Sequence, residues 1–236
     1  MNTVFPIAAV AELIGEPARA AILIALLDGK ARTAGELALT ANISAQSASA
    51  HLSKLVDGGL LTVRSTGRHR YYGMAGPEVA HALEALGSIS TPPRARADVP
   101  HPRAADDMYT ARSCYDHLAG RIAVDIASAL EESKIIRARD NRDYDLGRSG
   151  RAWFAHLGID VDALRRSRRA FARQCLDWTE RRPHIAGALG AALCSRLIAL
   201  GWIARRRDTR AFRVTHNGAR ALRSLIAGSQ KFSING

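Results

Sequence analysis

The chain has 236 residues, 47% of them hydrophobic and 24% charged, so it can bury a core and fold as a globular protein. Its longest apolar run, residues 20–27, is well short of the ~20 residues that a membrane-spanning helix needs. The amino terminus lacks a basic region, unlike a secretory signal, and three scattered cysteines make no disulfide framework. We therefore expect a cytoplasmic protein without membrane association. The net charge of +12 favours a polyanionic partner, nucleic acid first.

The charge is unevenly distributed along the chain. Residues 1–90 hold seven basic and seven acidic residues, whereas residues 91–236 hold 27 basic and 15 acidic residues. The arginines of the second part either contact phosphate or serve another purpose. Residues 91–106 contain four prolines and few apolar side chains, which is typical of a linker. We therefore predict two domains, residues 1–90 and residues 107–236.

The first domain begins with helix signals. Pro17 suits the first position of a helix, which the apolar residues 20–27 continue. Thr33 can cap a short second helix, and Glu36 completes a capping box three residues later. Residues 41–43 predict a tight turn, so two helices are joined to a third by a short connection.

The third helix has one apolar and several polar faces. Ser44 can cap it, and it extends to the glycine pair at residues 58–59. Ala48, Leu52 and Leu55 fall on one buried stripe. Residues 44–54 otherwise carry mainly serines and a glutamine and no acid, which is typical of a surface that reads DNA.

Two strands and a closing helix complete the first domain. Residues 60–65 and 70–74 predict strands around a turn at residues 66–69, and residues 77–87 predict a helix. This is the order of a winged helix-turn-helix. We predict a mainly α fold with short β-hairpin wings (α+β), in which a winged helix-turn-helix domain precedes a second, helical domain.

Such a domain suits double-stranded DNA. Short polar side chains of a helix can reach base edges in the major groove, and a basic hairpin can reach phosphates. The predicted base-facing residues are Gln46, Ser47, Ser49 and His51. The predicted phosphate-facing residues are Lys54, Arg68 and Arg70. Ser44, Arg64 and His69 complete the predicted DNA-contacting set.

Three segments of the first domain resemble one known family. Residues 44–61 (SAQSASAHLSKLVDGGLL) are similar to the recognition helix of ArsR-type (ArsR/SmtB-like) repressors. Residues 62–72 resemble the wing of these repressors, and residues 15–23 resemble their entry helix. The resemblance covers about residues 8–87. It implies a homodimeric, sequence-specific transcriptional repressor that leaves its DNA when an inducer binds.

The chain departs from the metal-sensing members of that family. Their paired cysteines correspond to residues 36–39, which read Glu-Leu-Ala-Leu and offer no thiolate. An inducer site is therefore expected elsewhere, in the second domain.

Segments of the second domain are similar in sequence to segments of the first. Residues 195–203 align with residues 53–61 without a gap, and a fainter copy at residues 144–150 resembles residues 212–218. We therefore predict winged-helix-like substructure in the second domain. Residues 183–200 predict a helix whose apolar composition suits burial in a dimerisation or effector domain. The basic hairpin after it leaves an additional phosphate contact open.

Two clusters of the second domain carry candidate effector chemistry. Cys114 and His117 stand three apart on a predicted helix and can point the same way. Residues 175–184 place a thiol, two carboxylates and an imidazole within ten positions. Such groups can bind zinc or a similar transition metal. The candidate effector residues are Cys114, His117, Cys175, Asp177, Glu180 and His184.

Other interpretations of these residues stay open. Free cysteines often behave as small buried hydrophobes, the role that we assign to Cys194. Cys114 or Cys175 can instead sense oxidation, and an organic inducer can bind near Tyr115 and Trp178. A protein with no effector is the last alternative.

The sequence favours a regulator over two other classes of function, an enzyme and an architectural DNA-binding protein. The sequence has no glycine-rich phosphate loop, nucleophile elbow or His-Glu-x-x-His motif, so we do not expect an enzyme. An architectural DNA-binding protein does not need about 130 further residues, so a regulator with a small-molecule or metal inducer is preferred.

Overall fold

The computed structural model describes residues 7–89, 107–140 and 142–227. Its contacts divide the chain into two compact units, one ending at Leu83 and one beginning at Glu84. The division falls inside a helix and not at residue 90, and the linker predicted at residues 91–106 lies outside the described residues. No helix in the described ranges is long and apolar enough to cross a membrane.

The first unit has the winged helix-turn-helix order that the sequence predicts. Its helices are α1 Ile7–Ile14, α2 Pro17–Ala25, α3 Ala34–Ala41, α4 Ala45–Asp57 and the start of α5 Pro77–Ile89, with a 3-10 turn at Leu26–Asp28. Its strands are β1 Arg32–Thr33, β2 Leu61–Thr66 and β3 His69–Met74, paired antiparallel in the order β1-β3-β2. The sequence analysis did not anticipate α1 and β1.

Predicted caps fix the ends of the central helices. The capping box is present, since the Thr33 hydroxyl accepts the Glu36 backbone N–H and the Glu36 carboxylate accepts the Thr33 N–H. Asn42 ends α3 in the left-handed conformation with φ of 54°. Ser44 then caps α4 by accepting the Ser47 N–H. These local interactions fix the turn between α3 and α4.

The core of the first unit lies between α2, α3, α4 and the sheet. The predicted stripe on α4 is confirmed, because Ala48, Leu52 and Leu55 are all fully buried. Helix α1, in contrast, buries none of its residues within the chain. The main cluster consists of Ile22, Leu23, Leu26, Leu37, Leu52, Leu55, Leu61 and Tyr72.

The second unit combines short helices with four separate hairpins. Its helices are α6 Asp107–Thr110, α7 Arg121–Glu132, α8 Gly150–His156, α9 Val161–Arg165, α10 Gly187–Ala199 and α11 His216–Ile226. Its strands are β4 Arg112–Cys114, β5 His117–Ala119, β6 Ile136–Ala138, β7 Tyr144–Leu146, β8 Arg173–Leu176, β9 Pro183–Ala186, β10 Ile203–Arg205 and β11 Phe212–Val214. The pairs are β4-β5, β6-β7, β8-β9 and β10-β11.

The second unit is an internal duplication. Residues 112–156 and residues 173–226 each form a hairpin, a buried helix, a second hairpin and a further helix. A left-handed glycine joins the first hairpin to its helix in both copies, Gly120 with φ of 88° and Gly187 with φ of 78°. The predicted wing-like segments correspond to the second hairpin of each copy, β6-β7 and β10-β11. The first hairpin of each copy was not predicted from the sequence.

Equivalent segments of the two copies contact each other reciprocally. Arg112 of the first copy bridges to Ala211 of the second, and Arg173 of the second bridges to Asp143 of the first. Helix α7 of the first copy packs on β9, and α10 of the second packs on β5. The unit therefore has approximate two-fold symmetry, and its one large core is shared by both copies.

Two helical predictions for the second unit are wrong. Cys114 and His117 lie on β4 and β5, and Cys175 lies on β8. The helix predicted for residues 183–200 begins only at Gly187, after the strand β9. In the first copy the chain reverses at Tyr115, which has φ of 57°, and residues on either side pair as strands. Gly120 and Gly187 then lead from the second strand of each hairpin into the following helix. Helix α10 is buried, as its composition predicts.

Candidate DNA-reading face and candidate metal centre

The polar face of α4 is open to solvent. Ser44, Gln46, Ser47 and Ser49 are exposed on its first two turns, and Lys54 is exposed near its end. The Ser44 and Ser47 hydroxyls lie 2.9 Å apart, and Ser49 donates to the Ala45 carbonyl oxygen at 3.0 Å. Within the described part of the chain the Gln46 side chain makes no such local bond, so its amide offers both a donor and an acceptor.

The wing is a tight basic hairpin. Thr66 pairs with His69 across the two-residue loop Gly67-Arg68, and only Gly67 of the loop has a positive φ, 58°. The exposed basic side chains of β2, the loop and β3 are Arg64, Arg68, His69 and Arg70. The Arg70 guanidinium carbon lies 5.7 Å from the ring centre of Tyr72, which supports that side chain.

His51 differs from the other predicted DNA-contacting residues. Its side chain is only 22% exposed, and its Nδ1 lies 3.4 Å from a carboxylate oxygen of Glu16. The Glu16 carboxylate also accepts the N–H groups of Ala18 and Arg19 at the start of α2 and lies 3.9 Å from the Arg19 guanidinium. His51 therefore faces α2, and the contact links the recognition helix to the entry helix.

Two hairpins bring together a set of cysteines and histidines in the second unit. Cys114 pairs with His117 across the β4-β5 turn, and Cys175 pairs with His184 across β8-β9. One ligand atom from each residue lies within 4.8 Å of all the others. The four residues occupy equivalent positions in the two copies, so the cluster lies at the centre of the duplicated unit.

The cluster is shielded from solvent. Cys114, His117 and His184 are 3%, 4% and 1% exposed, and Cys175 is partly buried. The Nε2 atoms of the two histidines lie 3.1 Å apart. No disulfide joins the cysteines. A hydrogen bond with the Cys114 thiol lowers the pKa of Cys175 below its ordinary value, although burial acts in the opposite direction.

Asp177 supports the cluster without belonging to it. Its carboxylate is fully buried and accepts Nη2 of Arg112 at 2.9 and 3.0 Å, and also the Gly120 N–H at 2.7 Å. Burial alone would raise the pKa of Asp177, but Arg112, the Thr179 hydroxyl and the Gly120 N–H hold it well below its usual range. Its Oδ2 lies 3.7 Å from Nδ1 of His184.

Glu180 is not brought into the cluster. Its recorded hydrogen bond comes from its backbone N–H, which donates to Asp177 at 3.2 Å. Sequence reasoning also missed the buried charge of Arg112. Its neighbour Glu84 accepts from Arg210 at 2.8 Å and from the Trp178 ring N–H at 3.1 Å. Nothing in the local sequence marks Arg112, because its partners are far away along the chain.

An apolar hollow lies beside the cluster. It is lined symmetrically by Leu118, Ala123 and Ile126 of the first copy and by Ile185, Gly190 and Leu193 of the second. All six lining residues are apolar or glycine, so the hollow itself offers no side-chain ligand and no titratable group. The chemistry at this centre therefore belongs to the polar cluster.

Comparison with known proteins gives a family model and a relative of similar length. Residues 14–64 match a family model described as a helix-turn-helix domain. A protein of Bacillus subtilis (strain 168), described as the uncharacterized HTH-type transcriptional regulator YdfF, is 43% identical over 213 residues. The alignment covers 90% of this chain and 93% of that relative, so the similarity includes both units.

Two solved structures are each similar to about a third of this chain. One is the homodimeric winged helix-turn-helix DNA-binding domain of a possible ArsR-family regulator from Mycobacterium bovis, with 31% identity over 34% of this chain and 73% of that one, and a TM-score of 0.32. Another is the cadmium sensor CMTR of Mycobacterium tuberculosis, with 35% identity over 34% of this chain and 81% of that one, and a TM-score of 0.30.

Proposed function

Because this chain belongs to the HTH-type transcriptional regulators, we propose that it is a sequence-specific repressor of the ArsR type. It binds double-stranded DNA as a homodimer in the cytoplasm, and an effector held by the second unit releases it. The observation that carries this proposal is the exposed polar face of α4 next to the exposed basic wing.

The polar face of α4 and the basic wing contact different parts of the DNA. Gln46, Ser47 and Ser49 contact base edges from the first turns of α4, where short side chains allow the helix to lie deep in the major groove. Lys54 and the wing residues Arg64, Arg68, His69 and Arg70 contact the phosphate backbone. Ser44 fixes the start of α4, and its position there also suits a phosphate. His51 acts indirectly, by holding α4 against Glu16.

A second copy of the chain is the proposed partner of α1. This helix reads Ile-Ala-Ala-Val-Ala-Glu-Leu-Ile and buries none of its residues within its own chain. Ile7 is 72% exposed and Val10 is 41% exposed. Apolar helix surfaces of this kind are stabilised by burial between subunits, and a two-fold dimer matches two DNA half-sites. In size-exclusion chromatography with light scattering, Val10→Asp is expected to give a monomer.

The test of this function measures fluorescence anisotropy of labelled DNA. The two duplexes are the DNA upstream of the protein's own coding sequence and a shuffled duplex of the same length, each titrated at several salt concentrations. A specific regulator retains a large affinity ratio between them. Arg68→Ala is expected to weaken binding to both and to reduce the salt slope by about 0.9.

Arg139→Ala is the matched control, because it also removes one exposed positive charge but lies in the second unit, beside Asp145. It is expected to leave both affinities nearly unchanged. Equal affinity for the two duplexes, or an Arg68→Ala variant that binds like the wild type, would overturn the proposed function or its wing assignment.

A further inference from the structure

We propose that Cys114, His117, Cys175 and His184 bind a single zinc-like divalent cation, which joins the two copies of the second unit. The site lies on the approximate two-fold axis, because each copy contributes one cysteine and one histidine from equivalent cross-strand pairs. Two sulfur and two nitrogen ligands form one of the common sets for structural zinc. The metal site rests on this geometry alone, and its regulatory role rests on the function proposed above.

The distances suit a tetrahedral ion. Zinc–nitrogen and zinc–sulfur bonds of ~2.0 and ~2.3 Å place tetrahedral donor atoms about 3.3 to 3.8 Å apart. The two Nε2 atoms are separated by 3.1 Å, and the four ligand atoms lie within 4.8 Å of one another. Because protein side chains supply four donors and the cluster is largely buried, no position is left open for a substrate. The site is therefore structural or regulatory and not catalytic.

Both imidazoles are oriented for metal binding. Nδ1 of His117 lies 3.5 Å from Asp116, and Nδ1 of His184 lies 3.7 Å from Asp177. The carboxylates favour a proton on each Nδ1, which leaves both Nε2 lone pairs directed at the centre. Without an ion, one Nε2 can donate a hydrogen bond to the other at 3.1 Å, whereas a cation between the rings can bind both Nε2 atoms. His184 Nδ1 makes no hydrogen bond within the described residues.

Charge balance also favours a divalent ion. Around the cluster, the buried carboxylates of Glu84 and Asp177 are matched by the guanidinium groups of Arg112 and Arg210. This outer layer is neutral, so it does not compensate two cysteine thiolates. Binding one divalent cation with loss of the two thiol protons gives a neutral centre, which removes the penalty for buried charge. The soft sulfur ligands select zinc, cobalt or cadmium and not magnesium or calcium.

The test begins with metal content of the full-length protein, purified with reductant and without chelator. We expect about one zinc per chain. Cobalt added to the metal-free protein is expected to give the intense sulfur-to-cobalt charge-transfer band and the visible bands of a tetrahedral site. Cys114→Ser and His184→Ala should lose the ion and these bands. Cys194→Ala is the matched control, because Cys194 is an equally buried thiol on α10 outside the cluster.

A second measurement uses the melting temperature of the wild-type protein and does not depend on the folding of the variants. Removal of the ion from the wild-type protein by a chelator should lower its melting temperature, and zinc should restore it, whereas magnesium should not. A metal-free wild type that neither binds cobalt nor responds to zinc would overturn the proposal. So would Cys114→Ser and His184→Ala variants that fold and retain the full metal content, or a Cys114–Cys175 disulfide as the only response of the site.

The regulatory role has a separate readout. If the ion is the effector, zinc changes affinity for the upstream DNA, and that DNA changes zinc affinity by the same factor. We expect a 5- to 150-fold change, the usual range of such coupling. A stoichiometric ion without any specific DNA binding would refute the proposed function and leave the metal site intact. Specific DNA binding by a protein that binds no metal would refute the metal site and leave the DNA-binding function intact.

Discussion

Arg112 and Asp177 form a fully buried ion pair, with side chains 1% and 0% exposed and Nη2 2.9 and 3.0 Å from the two carboxylate oxygens. Arg112 begins β4 of the first copy, and Asp177 directly follows β8 of the second. Asp177 also accepts the N–H of Gly120, the residue before α7. One carboxylate thus fixes the hairpin–helix junction of the other copy.

Arg112→Ala is expected to destabilise the second unit by about 3–5 kcal/mol, because it leaves the Asp177 carboxylate buried without its cation. All three tryptophans, Trp153, Trp178 and Trp202, belong to this unit, so their fluorescence in a urea titration follows its unfolding. Arg139→Ala breaks a pair that is 64% and 43% exposed and should change the unfolding free energy by less than about 1 kcal/mol. Equal effects of the two substitutions would show that the buried pair is not a main stabilising contact.

Gly187→Ala tests the junction in the second copy. Gly187 has φ of 78°, and an added Cβ would lie 2.7 Å from the Ala170 carbonyl oxygen. Gly201 has a similar φ of 67° but open space around it, so Gly201→Ala isolates the conformational strain. We expect Gly201→Ala to destabilise by about 1 kcal/mol, and Gly187→Ala by a further 1–3 kcal/mol or so from the clash. Urea titrations of the two variants provide the comparison, and equal losses would contradict the backbone clash.

The first unit could be predicted from its sequence because its signals are local. The Pro17 start, the capping box at Thr33 and the Ser44 cap each depend on residues within four positions. The hairpin likewise follows from Gly67 in a two-residue loop. Helix α1 was missed because seven of its eight residues are apolar, so the sequence shows no clear division into a buried stripe and a polar face.

The second unit could be predicted only in part, because long-range contacts determine it. The later hairpins were found from their likeness to the wing, but the segment of Cys114 and His117 and the start of residues 183–200 were interpreted as helix. Cys114 and His117 are suitably spaced on a helix as well as on a hairpin, so spacing did not distinguish the two. The sequence identified all four members of the Cys/His cluster, whereas Arg112 and Glu84 become significant only when distant segments meet.

Gln46→Ala and Lys54→Ala should separate base reading from phosphate contact on the same helix. Gln46 is exposed on the first turn of α4, so its loss should reduce discrimination at one base pair by about 1–3 kcal/mol. Lys54→Ala should weaken binding to all duplexes equally and reduce the salt slope. Anisotropy titrations with duplexes that carry single base-pair changes measure both. A Gln46→Ala variant with unchanged discrimination at every position would place base reading elsewhere.

Tyr144→Phe should stabilise the second unit and alter its response to alkali. The Tyr144 hydroxyl is buried without a hydrogen-bond partner among the residues that the structure describes, and the equivalent residue of the second copy is Phe212. Removal of an unsatisfied hydroxyl is expected to raise the unfolding free energy by about 1 kcal/mol at neutral pH.

The pH dependence follows from the same burial, which raises the pKa of Tyr144 from 10.0 to about 12. Because the pKa is higher in the folded state, folding is favoured fully below pH 10, and this contribution is lost as the pH rises towards 12. Tyr144→Phe should lack this loss, so urea titrations at pH 8 and pH 11 should show a smaller decrease in stability than in the wild type. Cys194, whose pKa burial raises to about 11, titrates in both proteins and cancels from the comparison. Parallel decreases in the two proteins would mean that the Tyr144 hydroxyl reaches water in the folded state.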